Sequence, residues 1–91
     1  MIEGKTKTGF EFNIDERALE DWALIELTKK YDKGNSLKKA EVVPEITNLL
    51  LGEGGFKKLE KHIRACNDGF CPIKALESEL LEIINSNKVK N

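Results

Sequence analysis

His62, Cys66 and Cys71 are the chain's one histidine and both of its cysteines, and they fall in an H-x₃-C-x₄-C series. Imidazole nitrogen and thiolate sulfur are donors that zinc accepts readily, so the series invites a metal reading. Structural zinc takes four such ligands, and catalytic zinc takes three with a water. No fourth ligand stands at a matching interval, and Cys66 and Cys71 lack the usual two-residue spacing of paired zinc cysteines. A nucleophilic reading fares no better. His62 and Cys66 share one face of a helix, but a thiol–imidazole pair also needs oxyanion donors and a third group to orient the base. Neither accompanies them in the sequence. The pattern reads as a surface histidine beside a core cysteine, and no catalytic residue, metal or cofactor is expected.

Two further segments carry possible chemistry. Gly52-Glu53-Gly54-Gly55 precedes an apolar helical pattern, and helix N-termini present free amides to anions. The segment lacks the Lys-Ser/Thr of a phosphate-binding loop and follows no strand, so it reads as a joint between helices. Gly34-Asn35-Ser36-Leu37 is similar to the serine motif of acyl carrier proteins, where the serine bears a phosphopantetheine arm. Here asparagine replaces the usual aspartate, and Lys38 and Lys39 follow where acidic residues are common. The plainer reading is a helix N-cap.

These residues must be held by a small fold. Ninety-one residues make one domain, 1–91, with a single core. Hydrophobic residues are 40% and charged residues 34%, which describes a folded domain with a heavily charged surface. Fifteen basic and sixteen acidic side chains leave a net charge of −1, against the clustered basic excess of a nucleic-acid binder. No stretch approaches the ~20 apolar residues of a membrane span, and Met1-Ile2-Glu3-Gly4-Lys5 shows no signal-peptide pattern. Neither nucleic acid nor membrane is an expected partner. An intracellular chain is expected, with Cys66 and Cys71 as free thiols.

The pattern predicts a mainly α (α+β) fold, an N-terminal β-hairpin followed by a bundle of about four short helices. Phe10, Phe12 and Ile14 alternate with Glu11 and Asn13, and Ile2 to Lys7 pairs with them through a Lys7-Thr8-Gly9 turn. This ribbon over residues 1–14 needs helices or another subunit to pack on. Residues 15–87 are helical. Asp15 caps a first helix to Tyr31, with Leu19, Trp22, Ala23 and Leu27 in one stripe and Leu24 and Tyr31 widening it. A second covers Leu37 to Leu51, kinked or broken by Pro44, with Val43, Ile46, Leu49 and Leu50 inward and Gly52 ending it. A third covers Phe56 to Ala65. A fourth opens at Pro72 and carries Ile73, Leu76, Leu80, Ile83 and Ile84. Residues 88–91 form a frayed tail. Charge runs at Glu16-Arg17-Glu20-Asp21 and Lys57-Lys58-Lys61 read as solvated faces.

Gly4-Lys5-Thr6-Lys7-Thr8-Gly9-Phe10-Glu11-Phe12-Asn13-Ile14-Asp15 resembles the opening of the small tail assembly chaperones of long-tailed phages and prophages of Gram-positive bacteria. The likeness continues through Glu20-Asp21-Trp22-Ala23-Leu24-Ile25-Glu26-Leu27 and Leu49-Leu50-Leu51-Gly52. It takes in Phe56-Lys57-Lys58-Leu59, His62-Ile63-Arg64 and the Asn67-Asp68-Gly69-Phe70-Cys71-Pro72 turn. It spans nearly the whole chain as an order of elements with short local matches. Cys66, Cys71 and the Lys38-Lys39 pair depart from it.

The resemblance implies a non-enzymatic assembly factor in the bacterial cytoplasm, absent from the finished virion. Its partners would be the tape measure protein, whose apolar helical segments it coats, and the major tail tube protein it recruits. A homo-oligomer is a further possibility. Weak, displaceable helix-in-groove contacts suit this role. Candidate partner-binding residues are Trp22, Ile25 and Leu51 in the excess apolar arc of the first two helices, with Phe10 and Phe12 in the ribbon. The alternatives are a small prophage-encoded interaction or regulatory module and an acyl-carrier-type protein.

Overall fold

The computed structural model describes residues 2–89, with side chains described through residue 85. The order is β1 (Ile2–Lys5), β2 (Glu11–Ile14), α1 (Glu16–Leu19), α2 (Trp22–Lys33), α3 (Ser36–Leu51), α4 (Gly55–Cys66) and α5 (Ile73–Val89). The fold is mostly helical with an N-terminal hairpin, as the sequence pattern predicts.

β1 and β2 pair antiparallel, with Ile2 opposite Ile14 and Gly4 opposite Phe12. Phe12 and Ile14 turn inward while Glu11 and Asn13 face solvent, which is the period-two alternation of a half-buried strand. The ribbon packs on its own helices, β2 against α3 and β1 against α5. Its apolar face meets the central cluster formed by Val43, Leu50, Leu59 and Ile83.

The expected first helix is two helices, so the bundle has five among the described residues. Asp15 caps α1 by accepting from the Arg17 amide. After one turn the chain leaves helical geometry at Asp21 (φ −73°, ψ 131°), whose carboxylate accepts from the Ala23 amide at 2.9 Å. Asp21 is a second N-cap: its side chain gives the backbone an alternative to continuing the turn. The break dissolves the predicted stripe. Leu24, Leu27 and Tyr31 lean on the core, but Trp22 points outward and no residue of α2 is fully buried.

Pro44 does not break its helix, and α3 runs unbroken from Ser36 to Leu51. Val42, Val43, Ile46, Thr47 and Leu50 are buried on both sides of the proline. Core packing along that length outweighs the missing amide bond, worth about 1 kcal/mol net. The Thr47 hydroxyl donates to the Val43 carbonyl at 2.7 Å.

The Gly52-Glu53-Gly54-Gly55 segment is a joint, with Gly52 at φ 92° and Gly54 at φ 83°, conformations that disfavour any side chain. It turns α3 into α4, and Asn48 of α3 accepts from the Phe56 amide in the first turn of α4. A second turn, Asn67-Asp68-Gly69, leads to α5, whose first residue is Ile73 rather than Pro72. Ile73 is exposed, whereas Leu80 and Ile83 are buried as expected. α5 continues to Val89, past the expected end of the helical region at residue 87. Lys90 and Asn91 lie outside the described residues.

Candidate functional site

The chemistry-bearing side chains gather where the hairpin turn meets α4 and α5. Thr6 donates to Glu79 Oε1 at 2.8 Å, and Thr8 donates to the same oxygen at 3.0 Å. Thr8 Oγ1 also lies 3.0 Å from His62 Nε2, and Cys66 Sγ lies 3.8 Å from that nitrogen. A cavity of about 140 Å³ opens beside them. Glu79 is only 4% exposed, and the Phe10 amide donates to Thr6 Oγ1, so the group is part of the core's polar wiring.

A proton count defines what this cluster can do. A threonine hydroxyl has one proton, and that of Thr8 goes to Glu79. His62 Nε2 must then donate to Thr8 Oγ1, which leaves that nitrogen no lone pair with which to take a proton from Cys66. The imidazole serves to dock the hairpin turn. Cys66 is exposed, not the core cysteine expected. Cys71 is half-buried, and burial pushes its thiol up, away from the thiolate form a nucleophile needs. Both cysteines are free. Among the described residues no three His, Cys, Asp or Glu side chains are grouped to hold a metal ion.

A larger and more apolar hollow lies on the other side of α5. A groove of about 250 Å³ runs between α2 and α5 over a floor of Ile46 and Leu50. Its walls are Leu24 and Tyr31 from α2 and Leu80, Leu81 and Ile84 from α5. Among the described residues, Asp32 and Glu77 are the charged ones that line it. The Tyr31 hydroxyl donates to Glu77 Oε2 and ties the two walls together. That bond, helped by burial, pushes the Tyr31 phenol up to about 12. The Lys39 ammonium sits 5.2 Å from the Tyr31 ring centre.

Next to the groove, α2 carries an outward apolar strip. Trp22 is 63% exposed and Ile25 45%, and the Lys29 ammonium lies 5.8 Å from the Trp22 ring centre. Across the groove Leu81 is 53% exposed. The residues marked from sequence therefore divide. Trp22 and Ile25 share one face of α2, and Leu51 is half-buried at the end of α3. Phe10 and Phe12 are buried in the core and present nothing to a partner in this fold.

The chain matches no protein-family model, no curated protein and no solved structure.

Leu81, Ile84, Tyr31 and Glu77 were not marked as site residues by sequence pattern. One signal was available: the doublets Leu80-Leu81 and Ile83-Ile84 give α5 an apolar arc wider than one core contact needs. Leu80 and Ile83 are buried in the core, and their neighbours Leu81 and Ile84 form the groove wall. Among the described residues no helix is long and apolar enough to cross a membrane.

Proposed function

We propose that the chain is a tail assembly chaperone of a long-tailed phage or prophage, binding the tape measure protein and helping to recruit tail tube subunits in the host cytoplasm. The observation that carries this reading is the open apolar groove between α2 and α5, flanked by the exposed Leu81. Such a groove suits the apolar face of an amphipathic helix, read out at i, i+3, i+4 and i+7. The order of elements along the chain supports it through the family resemblance.

Magnitudes fit a transient contact. Each large aliphatic or aromatic side chain buried from a client helix contributes ~1.5–3 kcal/mol. A groove of about 250 Å³ accommodates one or two of them. Association itself costs at least ~4 kcal/mol, so a single site binds weakly. Many copies along a long client give useful coverage through multivalency, and each is easily displaced when the tube polymerises.

The test is co-expression with the tape measure protein of the same phage or prophage. The intact chain should keep that protein soluble, and Leu81→Lys, at an exposed position, should reduce the soluble fraction several-fold. Equal solubility with and without the chain would sink the proposal.

A further inference from the structure

The groove face of α5 changes character along its length. Ile73, Glu77, Leu80, Leu81 and Ile84 fall within an arc of about 100° around the helix axis. The last four line the groove, and Ile73 lies one turn beyond Glu77, 55% exposed. An acidic position is therefore flanked by apolar ones on both sides. Asp32 adds a second carboxylate from the opposite wall, next to the Tyr31 whose hydroxyl reaches Glu77.

Neither carboxylate has a cation of its own. Among the described residues the ion pairs are Arg17–Asp15, Lys57–Glu60 and Arg64–Glu60, all away from the groove. Lys39, the cation at this end, sits over the Tyr31 ring. Tyr31 gives Glu77 a hydrogen bond but no charge. Two carboxylates in an apolar seat are complemented by a cationic side chain on whatever enters it.

We infer that the groove selects a client helix with a basic residue between two apolar anchors. This rests on the chaperone reading above and names the kind of client segment it takes. The client's Lys or Arg sits against Asp32 and Glu77, with one apolar anchor on Ile73 and the other on Leu81 and Ile84. Spacing on the client follows from helical rise. Ile73 to Glu77 is four positions, about 6 Å, and Glu77 to Ile84 is seven, about 10 Å. A helix laid along α5 matches these intervals with apolar residues four positions to one side of its basic residue and seven to the other. The apolar contacts supply most of the attraction but accept any amphipathic helix. The charge supplies the choice, because an acidic residue at the central position would bring a third carboxylate beside two.

The test uses the purified chain and three designed helical peptides that share this apolar pattern and carry Lys, Gln or Glu at the central position. Fluorescence anisotropy of labelled peptides gives each Kd. The Lys peptide should bind about tenfold more tightly than the Glu peptide at low salt, with Gln between them. Added salt should narrow the gap. Asp32→Lys leaves the Tyr31–Glu77 bond in place and should erase or reverse the order. Ile73→Ala and Leu81→Ala, at exposed positions, should weaken all three peptides alike, and circular dichroism checks that each variant is folded. Equal affinity for the three peptides, an order unchanged in Asp32→Lys, or indifference to Ile73→Ala would each overturn the inference. If the peptides bind alike yet weaken in Leu81→Ala, charge selection fails and the chaperone reading stands. If none binds, the inference fails too, and co-expression with the whole client decides the chaperone reading separately.

Discussion

The Tyr31 hydroxyl donates to the Glu77 carboxylate across 46 residues of chain, joining α2 to α5 at one end of the apolar groove. α2 has no fully buried residue and packs chiefly on α3, so this bond helps to fix the groove's width. It has a pH signature. The hydrogen bond to Glu77, then burial, raise the phenol from 10.0 to about 12. A group raised on folding contributes its stability in full below its unfolded value. The contribution is lost as pH rises from 10 through about 12, because the unfolded chain ionises first.

The chain has one tyrosine, so phenolate absorbance reports this residue alone. The expected midpoint is about 12 in the wild type, falling toward 10.0 in Glu77→Gln. Tyr31→Phe should lack the tyrosine-linked loss of stability across that interval. A wild-type midpoint at the ordinary tyrosine value would refute the bond.

Gly4 is required by the ring opposite it. A Cβ built on Gly4 falls 2.4 Å from Phe12 Cζ and 3.0 Å from both Cε atoms, so the Phe12 ring lies across the glycine. Paired residues in an antiparallel ribbon project to the same face, and here one must be hydrogen for the other to be aromatic. Gly4→Ala should cost ~1–3 kcal/mol, the usual range for overpacking a filled site. Urea denaturation measures it, and Phe12→Leu in the Gly4→Ala background should recover part of the loss. An unchanged midpoint for Gly4→Ala would show that the ring moves aside freely.

Local signals predicted local structure well. Phe12 and Ile14 alternate with Glu11 and Asn13 as a half-buried strand must, and Asp15, Asn35 and Gly52 stand at helix ends as their backbone chemistry favours. The break at Asp21 went unread because an aspartate there serves equally as a surface charge, and only the backbone geometry separates the two. The stripe joining Trp22 to Leu19 and Ala23 fails for the same reason, because it assumes one uninterrupted helix. The reading of Trp22 as part of an excess apolar arc agrees with its exposure. The groove was out of reach of local patterning. The α5 doublets report a wide apolar arc, but nothing within α5 says that α2 lies alongside. His62 is alike, since its hydroxyl partner Thr8 is 54 residues away.

Thr6 is a buried two-way link. Its hydroxyl accepts from the Phe10 amide and donates to Glu79, which is itself buried. Thr6→Val keeps the shape and removes both bonds, leaving an amide and a carboxylate oxygen short of partners. Unsatisfied buried groups cost ~1–3 kcal/mol, so the variant should lose stability in that range while Thr6→Ser stays near wild type. Hydrogen exchange at the Phe10 amide should accelerate in Thr6→Val alone. Wild-type stability in Thr6→Val would mean that Glu79 is held by Thr8 without help.

Pro44 sits inside a helix that carries on regardless, which makes it a site of removable cost. Proline lacks the amide that would donate to the carbonyl four residues earlier, that of Ala40, and its ring crowds the same turn. An interior proline is ~3 kcal/mol less favourable than alanine. The stiffness it gives the unfolded chain returns ~0.4–1 kcal/mol, and its half-buried ring returns some packing. Pro44→Ala should therefore stabilise the chain by ~1–2 kcal/mol, since most of the helical penalty survives those offsets. Pro44→Gly should gain ~1 kcal/mol less than the alanine variant, because glycine restores the amide but adds backbone freedom to the unfolded state. Thermal and urea unfolding of the two variants decide between the terms. If Pro44→Ala lowers the midpoint, the packing contacts of the half-buried ring outweigh the absent hydrogen bond and the helical penalty together.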